Sequence, residues 1–160
     1  MLFRSNILNT DIKSDDLVII MWTFEHRQDF LLDGERGWAS IMPDEDHEFS
    51  TLFYKYIDNN IQYFNYLSHK EIFLTQQYLN NIGCTHIHCC VTSSLSDSVS
   101  YKNTKLTKQI ITDNWISLPG PSGFYDWAKT NFLTINVTNG HANKIAHQKL
   151  FELIIKNLPG

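Results

Sequence analysis

The chain has 160 residues, of which 42% are hydrophobic and 19% charged, and its formal net charge is −4. This length and composition predict one globular domain over residues 1–160 and exclude an intrinsically disordered chain. The acidic balance and scattered basic residues argue against nucleic acid or a membrane as a partner, and no apolar run reaches membrane-spanning length.

The first half of the chain shows two changes of hydrophobic pattern. Residues 16–22 form a short run that is apolar from Leu17 onward and rich in β-branched residues, which predicts a strand buried on both faces, as in parallel sheets. Residues 23–47 are polar and contain glycine and proline, so we expect a loop. Apolar residues then recur at three- and four-residue steps over 49–82, which predicts one long bent helix or two helices, ended by Gly83.

Residues 85–91 predict a second buried strand, and the strand-helix-strand order predicts a parallel pair with a right-handed crossover. The Ser-rich stretch 92–104 is expected to be a loop. Residues 105–114 predict a short helix, and residues 115–118 predict a brief extended segment.

The last third contains a break at residues 119–121, which read Pro-Gly-Pro. Ser122 is expected to cap a short helix that runs through Trp127. After a loop over 133–140, the final helix is predicted over 142–157. One face of it collects the apolar residues Ala142, Ile145, Ala146, Leu150, Leu153 and Ile154.

The three cysteines, Cys84, Cys89 and Cys90, have no paired spacing, so they predict free thiols in a reducing compartment. Cys89 and Cys90 point to opposite faces of their strand. His86, His88 and Cys90 share one face, and zinc is the functional alternative for that trio. A tetrahedral site usually draws on a tighter turn or on distant partners, so we expect buried strand residues and no metal.

Polar residues follow both predicted strands and precede the last helix, and open α/β sheets bind ligands at that edge. A histidine there is a natural base near neutral pH. The alternative interpretation is a solvated loop, with the histidine contacting the backbone of the first helical turn. The edge residues are Thr23, Glu25, His26, Arg27 and Asp29 after the first strand, Thr92, Ser93 and Ser94 after the second, and Asn139 and His141 before the helix.

Three segments resemble the SGNH/GDSL hydrolases: residues 16–23, residues 127–129, and residues 140–147, which read Gly-His-Ala-Asn-Lys-Ile-Ala-His. More narrowly, they are similar to divergent SGNH-like proteins of tailed phages, notably marine ones. The resemblance implies a three-layer α/β sandwich with a mostly parallel, flavodoxin-like sheet. It also implies hydrolysis of esters, often O-acyl groups on carbohydrate, without a cofactor.

The chain departs from that pattern at several positions. The family serine lies in a Gly-Asp-Ser block, and no such tripeptide occurs here, so we expect an N-terminally truncated domain that lacks the nucleophile block. His141 matches the family histidine, but Asn139 stands in place of the aspartate, and the oxyanion asparagine is replaced within residues 22–26. Loss of the carboxylate costs about 10⁴ in turnover in a comparable triad, and loss of one oxyanion donor about 10²–10³.

Two functions remain open from the sequence. The first is a catalytically impaired SGNH-like protein retained for binding or assembly, as a homo-oligomer or with a protein partner that adds a strand to an exposed sheet edge. The second is an acyl-ester hydrolase with a non-standard site, or with a serine supplied by a separate chain. That site would use Glu25, His26 and His141 as catalysts, with Thr23, Arg27 and Ser93 binding a small ester or carbohydrate. We expect the chain in the cytoplasm, the host cytosol if phage-encoded, or in the virion.

Overall fold

The computed structural model of this chain describes residues 10–23, 28–31, 38–41, 48–56, 61–100, 104–119, 123–131, 133 and 141–158. Within these ranges it is a mixed α/β structure with two two-stranded sheets and five α-helices. The strands are β1 (Leu17–Trp22), β2 (Gln28–Leu31), β3 (Trp38–Ile41) and β4 (Thr85–Cys90). The helices are α1 (Glu48–Tyr56), α2 (Ile61–Ile82), α3 (Ser93–Ser100), α4 (Phe124–Thr130) and α5 (Lys144–Lys156), with a 3₁₀ turn at Thr107–Gln109.

The predicted parallel pair is confirmed. β1 pairs with β4 from Leu17 opposite Thr85 to Trp22 opposite Cys90. The predicted end of the long helix is also confirmed, because Gly83 has a φ of 80° and its N–H bonds back to the Leu79 carbonyl over 3.0 Å. A glycine adopts this left-handed conformation without the steric cost of a Cβ.

The segment predicted to be extended at 115–118 lies along the other edge of β4. The His88 N–H donates to the Asn114 carbonyl over 3.0 Å, and the Ile116 N–H donates to the His88 carbonyl over 2.8 Å. A parallel bridge joins His88 to Trp115. β4 is therefore central, with β1 on one side and this segment on the other.

Hydrophobic clusters cover both faces of the β1–β4 sheet, because successive side chains of a strand point to opposite faces. One cluster joins the sheet to α2 and α3 through Ile20, Trp22, Cys90, Ile72, Leu79, Leu95 and Val99. The other joins it to α4 and α5 through Ile87, Cys89, Phe124, Trp127, Ala146, Leu150 and Ile154. Cys89 and Cys90 lie on opposite faces as predicted, and Cys84, Cys89 and Cys90 are free thiols.

Two segments predicted as loops contain regular structure. β2 and β3 form an antiparallel pair inside the polar stretch 23–47, so that prediction was wrong. The Ser-rich stretch 92–104 contains α3, because Leu95 and Val99, four residues apart, bury one face of a helical turn against the core. Short elements of this kind carry few apolar residues, and their pattern was too weak to read.

Three further expectations were wrong in detail. The helix expected over 105–114 is only the 3₁₀ turn Thr107–Gln109. α4 has Gly123 as its N-cap instead of Ser122. In α5 the buried face contains Ala146, Leu150 and Ile154, whereas Ile145 is 55% exposed, because it lies about 100° around the helix from Ala146. Within the described residues, no helix is long and apolar enough to cross a membrane.

Candidate functional site

The carboxyl ends of β1 and β4 lie together, since their last residues, Trp22 and Cys90, are paired. Thr23 is exposed directly after β1, and Ser93 is half-buried as the first residue of α3. The structure thus brings these two predicted site residues to one edge of the sheet. Four other predicted site residues, Glu25, His26, Arg27 and Asn139, lie outside the described part of the chain.

Ser93 is held by two hydrogen bonds from a segment about thirty residues later. Its backbone N–H donates to Oδ2 of Asp126 over 2.8 Å, and its Oγ accepts from the Gly123 N–H over 3.1 Å. The first N–H groups of a helix have no partner within the helix, and a carboxylate there is also favoured by the helix dipole. The Asp126 carboxylate therefore stabilises the first turn of α3 as well as the first turn of its own helix, α4.

Gly123 allows the two backbone segments at this junction to approach each other closely. A Cβ at position 123 would overlap the backbone nitrogen of Ser93 and the carbonyl carbon of Thr92. The neighbouring Tyr125 N–H donates to the Val91 carbonyl over 2.8 Å, and Gly123 forms a parallel bridge with Cys90. The turn after β4 and the start of α4 are thereby packed backbone against backbone.

This geometry does not suit acyl transfer at Ser93. In serine hydrolases a backbone N–H at the nucleophile donates to the oxyanion that develops in the transition state. Here Asp126 already accepts from the Ser93 N–H, and its carboxylate charge repels a developing oxyanion at the same place. The junction of Ser93, Gly123 and Asp126 is built to join elements of the fold.

His141 is exposed just before α5. The N-cap of that helix is Asn143, whose Oδ1 accepts from the Ala146 N–H over 3.0 Å. The Asn143 N–H donates to the Leu133 carbonyl over 2.8 Å, which fixes the entry to the helix. The hydrogen bonds of Ser93 to Gly123 and Asp126 tie it to the start of α4, whereas His141 lies before α5.

Beneath this edge lies a buried imidazole chain, which we define as Trp22, His88, His86, Asn80 and Asn114. The Trp22 Nε1–H donates to Nδ1 of His88 over 3.0 Å, and Nε2 of His88 lies 2.8 Å from Nδ1 of His86. Nε2 of His86 lies 2.9 Å from Oδ1 of Asn80. The Asn114 amide nitrogen lies 2.7 Å from Nδ1 of His86. Sequence reasoning placed both histidines on one strand face but not their partners.

Because an indole N–H can only donate, it fixes the tautomer of every ring in the chain. His88 accepts at Nδ1, so its proton is on Nε2 and donates to His86, whose own proton is then on Nε2 and donates to Asn80. Both nitrogens of His88 are thus engaged within the protein, Nδ1 with Trp22 and Nε2 with His86. Within the described ranges, no group of three or more His, Cys, Asp or Glu side chains is arranged to hold a metal ion.

Burial gives these rings unusual titration. Desolvation, with a smaller contribution from His86, lowers the pKa of His88 to about 3. Desolvation also lowers the pKa of His86. His88 is therefore not suited to act as a general base near neutral pH, since bases of that kind titrate close to the working pH.

A second polar pair joins α2 to α3. Nε2 of His69 lies 2.9 Å from Oγ of Ser98, a distance typical of a serine activated by a base. Ser98 Oγ also donates to the Leu95 carbonyl over 2.8 Å, so its proton is used there and His69 donates to the hydroxyl. The pair is therefore a helix-to-helix hydrogen bond in which Ser98 is not activated.

Comparisons with known proteins identified no relative of this chain. No protein-family model, no curated protein and no solved structure matches the chain. Functional inference for this chain rests on its own residues and their geometry.

Proposed function

We propose that this chain is an SGNH-like α/β protein without serine-esterase activity, retained for binding or assembly. The parallel β1–β4 pair, with helices on both faces, supports a three-layer arrangement of the kind the sequence resemblance implies. The position of His141 directly before α5 supports it as well. Fold alone does not assign an activity, so the argument about activity comes from the site.

The observation that carries the proposal is the hydrogen bond from the Ser93 N–H to the Asp126 carboxylate, 2.8 Å long. It places a fixed negative charge where an oxyanion would form at this edge of the sheet. The chain also contains no Gly-Asp-Ser block. Ser98, which lies 2.9 Å from Nε2 of His69, directs its hydroxyl proton to a backbone carbonyl.

The test of lost catalysis is covalent labelling with a fluorophosphonate, together with a panel of acyl esters assayed with and without divalent metal. We expect no label on the protein. We also expect equal ester rates for the wild type, His141→Ala and Ser93→Ala, all close to the rate in buffer alone. His147→Ala is the matched control, because it removes an exposed histidine of α5 itself.

An esterase of non-standard design gives a different result. In that case hydrolysis is clear above buffer, falls at least tenfold in His141→Ala and is kept in His147→Ala. That outcome would overturn the proposal and favour an acyl-hydrolase. Activity that appears only with divalent metal would overturn it in the same way.

A further inference from the structure

Two apolar side chains of β1 remain open to solvent. Leu17 is 43% exposed and Ile19 is 45% exposed, although both belong to a strand of the central sheet. An open groove of about 390 Å³ lies along this strand, lined by Thr10, Ile12 and residues 16–20. We refer to Leu17 and Ile19, which border this groove, as the β1 surface. Exposed apolar area of this kind marks interaction sites more often than scattered single residues do.

The approach to the β1 surface is acidic. Residues 10–16 carry three aspartates, Asp11, Asp15 and Asp16, against one lysine, Lys13. Nζ of Lys13 lies 3.9 Å from Oδ2 of Asp11, and Asp15 and Asp16 then remain as excess negative charge. The apolar strand is thus bordered by an excess of negative charge.

The outer side of α5 also exposes apolar side chains, and the helix as a whole is basic. Phe151 is 60% exposed and Ile155 is 51% exposed, and the two lie four residues apart on one stripe of the helix. The helix carries three lysines, Lys144, Lys149 and Lys156, against one glutamate, Glu152. Lys144 is seven residues before Phe151 and therefore lies on the same stripe. We refer to Lys144, Phe151 and Ile155 as the α5 surface.

Both surfaces lie on the same side of the sheet. Leu17, Ile19 and Met21 occupy every second position of β1, so all three side chains point to one face of the sheet. Met21 packs against the cluster that contains Leu150 and Ile154 of α5. The acidic apolar surface and the basic apolar surface therefore belong to one side of the molecule.

We propose that a second copy of this chain docks on that side, with the β1 surface of each copy against the α5 surface of the other. This inference rests on the proposed assembly function. In a dimer with a two-fold axis the β1–α5 contact forms twice, because each copy has one β1 surface and one α5 surface. The charges favour this pairing, since β1 against β1 in parallel would set aspartates against aspartates, whereas β1 against α5 sets aspartates against lysines.

The experiment is sedimentation equilibrium of the full chain, with circular dichroism to confirm that each variant is folded. We expect a dimer in the wild type whose dissociation constant rises with salt. Phe151→Ser is expected to raise that constant at least tenfold. Tyr66→Ser is the matched control, because Tyr66 is an equally exposed aromatic residue at 55% on α2, and it should leave the constant unchanged.

A charge exchange tests the pairing itself. Asp15→Lys and Lys144→Glu are each expected to weaken the dimer about fivefold, and the double variant to return to within about twofold of the wild type. Lys144→Glu places a carboxylate in the first turn of α5, where it does not harm the helix. Single losses that add up instead of compensating would overturn the β1–α5 pairing.

The outcomes separate this inference from the proposed function. A dimer that is insensitive to Phe151→Ser and to the charge exchange overturns the interface and leaves assembly intact. A monomer over the whole concentration range overturns the inference. A monomer that also hydrolyses esters in a His141-dependent manner overturns the proposed function as well.

Discussion

The indole of Trp22 and the imidazole of His88 are joined edge to edge. The Trp22 Nε1–H donates to Nδ1 of His88 over 3.0 Å, and the two ring planes are nearly parallel, with an interplanar angle of 4°. His88 also stacks on Trp115, with ring centroids 5.5 Å apart. His88 is fully buried, so its only stable form is the neutral ring with the proton on Nε2.

Acid is expected to destabilise the protein by acting on the buried imidazole chain. Burial lowers the pKa of His88 to about 3, while the unfolded chain protonates near pH 6.5. The contribution of neutral His88 to the free energy of unfolding is therefore complete above pH 6.5. This contribution is lost as the pH falls from 6.5 towards 3, because the unfolded state then binds a proton that the folded state does not. At pH 5 His88 alone is expected to lower the free energy of unfolding by about 2 kcal/mol. The lowered pKa of His86 adds a loss of the same sign.

Urea unfolding of the wild type and of His88→Phe between pH 7.5 and 5 measures this effect. The variant should show a flatter dependence of stability on pH than the wild type, because it lacks the imidazole that is protonated first in the unfolded state. Carboxylates elsewhere contribute the same pH dependence to both proteins. Identical slopes for the wild type and His88→Phe would contradict the prediction.

Trp22→Phe isolates the indole N–H. The substitution keeps an aromatic ring in the core but leaves Nδ1 of His88 without its donor, which we expect to lower the free energy of unfolding by about 1–3 kcal/mol. Trp115→Phe is the control, because Trp115 also stacks on His88 but donates to the Ile111 carbonyl in an exposed hydrogen bond. A smaller loss in Trp22→Phe than in Trp115→Phe, measured by urea unfolding, would show that the buried bond does not govern stability here.

Two glycine-to-alanine variants should differ sharply. Gly123→Ala forces a Cβ into the backbone of Thr92 and Ser93, and we expect a loss of about 3 kcal/mol or more, or failure to fold. Gly83→Ala has open space around the new Cβ and costs only the left-handed φ of 80°, about 1–2 kcal/mol. Thermal and urea unfolding of the two purified variants compares them. Equal losses would contradict the close packing at Gly123.

Gln76 ties α2 to the segment after the 3₁₀ turn. The side chain is fully buried, its Nε2 donates to the Ile111 carbonyl over 2.7 Å, and its Oε1 accepts from the Ile111 N–H over 2.9 Å. Gln76→Met leaves that N–H without its acceptor, so we expect a loss of about 1–3 kcal/mol and faster hydrogen exchange at Ile111. Gln77→Met, the exposed neighbour, should change neither quantity. Unchanged exchange at Ile111 in Gln76→Met would contradict the prediction.

Local pattern was enough for the elements with long or dense apolar repeats. β1 follows from a continuous apolar run with three β-branched residues, β4 from a short run that begins directly after the helix-ending Gly83, and the buried side of α2 from the spacing of Ile72, Gln76 and Leu79. The end of α2 at Gly83 could be predicted from this one residue, because glycine is free to adopt a positive φ. α3 was missed because Leu95 and Val99 are its only strongly apolar residues, and a single i, i+4 pair does not distinguish a helix from a loop.

The sequence by itself determined which segments can be buried, that β1 and β4 pair in parallel, and that no Gly-Asp-Ser nucleophile block is present. Only the tertiary structure decided what the polar residues do. Asp126 reaches Ser93 from 33 residues away, and Trp22 reaches His88 from 66 residues away. A side chain's periodicity gives the face it occupies, but its hydrogen-bonding partner, and therefore its protonation state, is chosen by whichever distant element packs against that face.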